Sequence, residues 1–303
     1  VSVAGWLPED PSDRRSWETA LERLVRDNRF TIAVVFPGVG ALSLIASAEG
    51  WLPDPLAFNP LFVLTGVLVM RSPLVVGLLP VVDRRAALGV VGLAAYSYAI
   101  EIVGVTTGWP YGFFEYGVSL GPMVGGVPLA LPIFFLPLVA NAYLLCLLLL
   151  GDLADRALPR LLSVIALVLL MDVVLDPGAV ALGFWLYEGG GAFYGVPLSN
   201  YAGWMLSATV AVVVLDSTFD RVALGPRIEA CEFALDDVVS FVLLWGGVNV
   251  VYGNWVPALV AAGIGVGLFR TDRFDAGMVP WRADGVGDGA DADDTDAGPA
   301  GRR

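Results

Sequence analysis

The chain contains no histidine and no lysine, and its two cysteines, Cys146 and Cys231, lie 85 residues apart. Without histidine there is no imidazole base, no Ser-His-Asp triad and no zinc site built on Cys/His spacing. Each cysteine sits in or beside an apolar run, so no disulfide framework is expected. Acid–base chemistry therefore falls to Asp, Glu or Tyr. Charge is also scarce, at 16% of 303 residues, against about 25% in a soluble domain. The 17 bases are all arginine, face 30 acids and leave a net charge of −13. That balance argues against nucleic acid, whose phosphates need a basic surface. No Walker A motif or GxGxxG in strand context is present, so nucleotide is not implied. Asp236-Asp237 lacks a third Asp at prenyltransferase spacing, so a magnesium–diphosphate site is not supported.

What the chain has in excess is apolar surface: 57% of its residues are hydrophobic and its mean hydropathy is +0.74. A single core stops growing near ~250–300 residues, so lipid must be the solvent for much of this chain. A span needs ~20 mostly apolar residues. Eight stretches qualify, at 30–48, 57–80, 86–106, 127–150, 160–182, 201–219, 235–252 and 255–269. The last is short and Arg71 interrupts the second, which makes seven the fallback count. The reading is an all-α, polytopic membrane helix bundle. Arginines fall before span one, after every second span and after span eight; the loops 49–56, 107–126, 183–200 and 253–254 contain none. By the positive-inside rule this predicts a multi-pass protein of the cell membrane with both termini cytoplasmic.

Three regions follow: a cytoplasmic segment 1–29, a membrane domain 30–270, and an acidic, Gly/Ala/Asp-rich tail 271–303 whose composition predicts disorder. In the first, Trp17, Leu21, Leu24 and Val25 recur at helical spacing opposite Arg14, Arg15, Glu22 and Arg26. That pattern predicts an amphipathic helix on the membrane surface or against a cytosolic partner.

The membrane domain carries an internal repeat. Glu101 ends span three and is followed by Thr107-Gly108-Trp109-Pro110-Tyr111-Gly112 and then Gly126-Val127-Pro128-Leu129. Asp172 and Asp176 lie in span five and are followed by Gly183-Phe184-Trp185, Tyr194 and Gly195-Val196-Pro197-Leu198. Each GVPL is expected to open a span. Each unit is helix, outer loop, helix, so the repeats run parallel and put both loops on one face, unlike the inverted repeats of many transporters.

Ionisable residues inside a bilayer cost ~2.5–3.5 kcal/mol each and are functional candidates by default. Glu101, Asp172 and Asp176 all lie ~18–24 Å from the cytoplasmic end of their spans, at 1.5 Å per residue. Asp172 and Asp176 are i,i+4 neighbours on one helix face. Two carboxylates that close in low dielectric do not both ionise, which sets an acid beside a base. A structural reading stands beside this one: Asp176 precedes Pro177 and can satisfy backbone donors where the helix breaks, and Glu101 can pair with Arg71.

Trp109, Tyr111, Trp185, Tyr194 and Trp204 make the outer loops unusually aromatic. They read either as an interfacial belt or as a π-lined mouth that stabilises a cation. Asn249, Tyr252 and Asn254 are placed to orient a water, and Asn200 either caps span six or joins the site. Asp216 and Asp220 lie beside Arg221 at the cytoplasmic end and read as a solvated pair.

The stretch E-I-V-G-V-T-T-G-W-P-Y-G-F-F-E-Y with its GVPL, and M-D-V-V-L-D-P-G-A-V-A-L-G-F-W with F-Y-G-V-P-L-S-N-Y-x-G-W, resemble the membrane carotenoid-biosynthesis hydratases. The resemblance is close over 86–206 and looser elsewhere, and the acidic, lysine-free composition leans to the haloarchaeal branch. It implies hydration of the terminal isopropylidene double bonds of a long acyclic carotenoid, in that branch bisanhydrobacterioruberin to bacterioruberin through the monoanhydro intermediate. It also implies membrane lipid as the substrate's solvent and other carotenoid-pathway enzymes as candidate partners, and sets no oligomeric state.

Hydrating a trisubstituted alkene needs an acid, a tertiary cation and a water to trap it, with no metal or other cofactor. From the residues themselves, Asp172 or the Asp172/Asp176 pair supplies the proton, and Glu101 orients or deprotonates water. Trp109, Tyr111, Trp185, Tyr194, Trp204 and Asn200 line the substrate. A carotene cyclase would use the same protonation, and a proton-coupled transporter would use the acids as a relay. A carotenoid-binding scaffold is a weaker third alternative.

Overall fold

The computed structural model describes Asp10 and residues 12–271. The acidic segment expected over 271–303 therefore lies, apart from Thr271, outside the described residues. Ten α-helices are described: α1 Arg14–Asp27, α2 Phe36–Ala48, α3 Pro60–Leu78, α4 Arg84–Thr107, α5 Leu131–Leu150, α6 Ala157–Ala181, α7 Leu198–Thr218, α8 Arg221–Ala230, α9 Asp236–Val251 and α10 Trp255–Arg270. A π-helical stretch, Thr31–Val35, runs into α2. Short polar side chains set several starts. Asp13, Asn59, Asp83 and Asp220 each accept hydrogen bonds from first-turn N–H groups, as N-cap residues do.

Among the described residues, six helices are long and apolar enough to cross a membrane: Thr31–Ala48, Pro60–Val81, Arg84–Thr107, Leu131–Asp155, Ala157–Ala181 and Leu198–Thr218. The seventh and eighth expected spans, α9 and α10, are helices of 16 residues each, or ~24 Å. The surface is inverted relative to a soluble protein. Leu42, Leu61, Leu158 and Leu259 are about 70% exposed, whereas Arg71, Asp172, Asp176, Asp236 and Asp237 are buried. Lipid-facing leucine around buried, paired charge is the membrane arrangement.

Helices α4 to α7 form a closed ring, with α4 on α5 and α7, and α6 on α5 and α7. Helices α9 and α10 pack together and against α6, while α2 and α3 cover the other side of α9. The loops after α4 and α6 meet in an antiparallel pair, β1 Phe114–Tyr116 with β4 Trp185–Tyr187. Both repeat loops thus lie at one end of the bundle. A second pair, β2 Met123–Val124 with β3 Val127–Pro128, precedes α5.

Several details differ from the sequence expectation. The first GVPL does not open its span: Val127 and Pro128 belong to β3, and α5 begins at Leu131. In the second, Val196 bridges to Phe193 and α7 starts at Leu198. Helix α3 continues through Arg71, because Asp237 neutralises it at 2.5 Å. Asp216 is not a solvated pair with Asp220; it binds Arg160 at 2.7 Å and accepts from the Tyr143 hydroxyl at 2.6 Å. The connection between α7 and α9 contains α8. Helix α1 docks on the protein itself, with Leu21 and Val25 packed against Val76, Phe233 and Ala234 and with Arg227 bound to Glu22 at 2.6 Å.

Candidate active site

Beneath the β1–β4 pair lies a cavity of about 150 Å³ walled by α2 to α7 and α9. Along a strand, alternate side chains face the same way. Phe114, Tyr116, Trp185 and Tyr187 all line the cavity, while Glu115 and Leu186 point away and are exposed. Phe134, Phe135, Phe184, Trp204 and Trp245 extend the aromatic wall, and Trp204 stacks on Phe135 at 5.6 Å. The wall is largely apolar, with its ionisable carboxylates gathered at Glu101 and Asp176.

Helix α6 brings Asp172 and Asp176 onto one face, both buried. Asn200, from the first turn of α7, donates from Nδ2 to both, at 3.3 Å to Asp172 Oδ2 and closely to Asp176 Oδ2. Tyr187 shares the cavity wall with Asp176. Among the described residues, nothing bonds to the buried Asp172 Oδ1. On the facing helix α4, Glu101 accepts the Tyr116 hydroxyl at 2.5 Å. Glu101 does not pair with Arg71, whose partner is Asp237.

Helix α6 does not break at Pro177 but runs on to Ala181, and side chains from beyond α6 take carbonyls around the proline. Asn249 donates to Val174 O at 2.7 Å, and Asn254 donates to Pro177 O at 3.2 Å and to Asn249 Oδ1 at 2.9 Å. These two asparagines are engaged by the α6 backbone, and Tyr252 donates to Glu49 at 2.9 Å. None of the three lines the cavity, so they do not orient a water within it.

The expected aromatic residues divide. Tyr111, Trp185 and Trp204, with Asn200, line the cavity. Tyr111 is buried, its ring held between α4 and α7 at Gly104 and Gly203, where a Cβ would collide with it. Its hydroxyl meets Ser207 Oγ at 2.6 Å. Burial, and then the charge of Glu101, push the Tyr111 phenol well above its ordinary pKa. Trp109 and Tyr194 lie off the cavity wall. Trp109 is 59% exposed beyond Gly108, whose left-handed backbone turns the chain out of α4, and the Tyr194 hydroxyl accepts from Val256 N–H at 3.3 Å.

Residues 58–268, which include every polar residue of this site, match the family described as carotenoid biosynthesis protein. The chain belongs to that family. A bisanhydrobacterioruberin hydratase of Haloarcula japonica is 62% identical over 276 residues, covering 90% of this chain and 93% of the relative. No solved structure matches the chain.

Two parts of this carotenoid biosynthesis protein's cavity escaped the sequence reading. One is the role of Tyr116 and Tyr187. Gly112-Phe113-Phe114-Glu115-Tyr116 and Gly183-Phe184-Trp185-Leu186-Tyr187 are both G-F-aromatic-x-Y, and each tyrosine follows an acid, Glu101 or Asp172, by 15 residues. That interval was the signal available. The β1–β4 register sets Glu115 opposite Leu186, its own repeat mate, so a pseudo-twofold passes through the pair. The other part is a buried ion pair on the wall, Arg71 with Asp237, where Asn141 Nδ2 also donates to Asp237 at 2.7 Å. Asp237 stands in the first turn of α9, where the helix dipole favours a carboxylate; nothing in local spacing connects it to Arg71.

Proposed function

We propose that the chain is a carotenoid hydratase, a cofactor-independent hydro-lyase that converts bisanhydrobacterioruberin to bacterioruberin through the monoanhydro intermediate. The observation that carries this reading is the placing of Glu101 and Asp176 on the wall of one aromatic, apolar cavity, with Asp172 tied to Asp176 through Asn200. The name of the 62% identical relative supplies the substrate and reaction.

The chemistry runs in three steps. The Asp172–Asp176 pair gives its proton to one carbon of the terminal double bond, which leaves a tertiary cation on the other. Trp185, Trp204 and Tyr111 screen that cation with their π faces. Water adds to the cation, and Glu101 takes the proton released from the resulting oxonium. Asn200 holds the two aspartates together throughout. A polyene of this length is comparable to a ~30 Å hydrocarbon core, so its end reaches the depth of Glu101 while the rest stays in lipid. The arginine distribution supports both termini on the cytoplasmic side of the cell membrane, with α1 at that surface.

The test is pigment mass analysis in a host lacking this gene, with and without its restoration. Pigment lighter by two waters, corrected on restoration, is the expected result. Unchanged pigment would overturn the reading. A cyclised product would instead assign the same protonation to a cyclase.

A further inference from the structure

The proposed reaction leaves the site unbalanced after each turnover. The alkene receives a proton from the aspartate pair, and the oxonium loses one to Glu101. The product departs with Glu101 protonated and the pair one proton short. In a bundle with no histidine or lysine, the return of that proton needs hydroxyl groups.

The β1–β4 pair supplies them in the required place. The Tyr116 hydroxyl is bonded to Glu101 at 2.5 Å, and Tyr187 stands on the same cavity wall as Asp176. Both face the cavity. The register Tyr116↔Trp185 and Phe114↔Tyr187 makes the tyrosines diagonal neighbours on one face, a relationship with a separation of roughly 7–8 Å that long side chains can bridge. Burial, followed by the charge of Glu101 for Tyr116 and of Asp176 for Tyr187, pushes both phenols well above their ordinary pKa. Each therefore stays a hydroxyl, able to accept one proton while donating another.

We propose that Tyr116 and Tyr187 form the path that returns the proton from Glu101 to the Asp172–Asp176 pair. The Glu101 carboxyl hydrogen passes to the Tyr116 oxygen as the Tyr116 hydrogen passes to Tyr187. The Tyr187 hydrogen then passes to the aspartate pair. One proton moves from Glu101 to the pair, both tyrosines end as neutral phenols, no oxidant is consumed, and the acid is restored for the next alkene. The path rests on the hydratase reading and adds to it the step that makes the enzyme catalytic rather than single-use.

Full-length protein reconstituted in lipid vesicles, with Tyr116→Phe and Tyr187→Phe as variants, tests the proposal. With protein in excess over carotenoid, the first turnover sets each variant's own reference, against which its later turnovers are read. With carotenoid in excess, later turnovers should slow roughly tenfold or more, the scale of a lost proton-transfer group. The double variant should be no slower than the slower single one, since a path is broken only once. Acetic acid, a small permeant acid, should restore the later turnovers. First and later turnovers falling together without rescue, or neither falling, would overturn the path. A wild-type protein that yields no hydrated product at all marks failure of the hydratase reading itself, and with it the path.

Discussion

Tyr116 donates a 2.5 Å hydrogen bond to Glu101 from 15 positions further along the chain. The second repeat reproduces that interval between Asp172 and Tyr187, but there the acid that shares the cavity wall with the tyrosine is Asp176, one helical turn beyond. The two halves are alike in framework and different in chemistry. The first holds a single carboxylate that accepts from a tyrosine, and the second holds two carboxyl groups joined through Asn200. An addition reaction that needs an acid and a base on opposite sides of one bond is served by that divergence.

Separating the acid from the base is the first prediction. Asp172→Asn and Glu101→Gln should each reduce hydrated product roughly 100-fold or more with unchanged expression. In heavy water the two should part. Glu101→Gln still protonates the alkene, so the recovered substrate gains deuterium, whereas Asp172→Asn leaves it unlabelled. Full activity in both variants would remove the carboxylates from the mechanism.

Asn200 has no other role in the structure that would account for its burial between two acids. Asn200→Leu removes the donor that holds both carboxyl groups and should cost roughly tenfold or more in turnover, on the scale of ~1.4 kcal/mol. Asn200→Gln should recover part of it. Product yield per amount of folded protein is the measurement.

The aromatic wall separates Trp185 from Trp109. Trp185→Leu should depress product formation, since its ring faces the cavity. Trp109→Ala should leave turnover within roughly twofold, because that side chain is exposed and away from the wall; a surface change of this kind is worth about ±0.5 kcal/mol. Equal loss in both would place the substrate path through the outer loop.

Arg71 and Asp237 should behave as a unit. Arg71→Met alone strands a buried carboxylate and should destabilise the protein by about 3–5 kcal/mol. The double variant Arg71→Met with Asp237→Leu should recover most of that. Thermal melting in detergent reads both. Additive losses would mean the 2.5 Å pair does not bear the energetic coupling its burial implies.

Packing strain gives a final check. Gly203→Ala sets a methyl group against the buried Tyr111 ring and should cost about 1–3 kcal/mol, as overpacking does. Gly92→Ala, at a position on α4 with open space around it, should be neutral or slightly stabilising, given the higher helix propensity of alanine. Melting temperatures of the two variants decide the point.

Much of the architecture was legible along the chain. Apolar runs of ~20 residues mark the long helices, and the two GVPL segments, each preceded by an acid, Trp and Tyr, mark the repeat. Arg71 shows where that reading stops. Its charge looked like an interruption of span two, yet the helix runs on because Asp237, 166 positions away, neutralises it. The two GVPL segments looked equivalent, but one forms a hairpin before its helix and the other leads directly into α7. Trp109 and Tyr194 looked like Tyr111 and Trp185, since composition gives an aromatic ring no direction. Asn249 and Asn254, suited by type to hold water, are occupied by the α6 carbonyls near Pro177.

By itself the sequence determined that lipid surrounds most of this chain, and that acid–base chemistry rests on Asp, Glu and Tyr. It also placed Asp172 and Asp176 on one face, because helical periodicity is local and a four-residue spacing is enough to state it. Only the tertiary structure decided which groups meet across helices. Tyr116 meets Glu101, Asn200 meets both aspartates, and Arg71 meets Asp237 rather than the site's acids. Those pairings follow from how the loop strands join and how the helices pack. Contacts of that kind depend on the whole bundle at once, and no single stretch of residues encodes them.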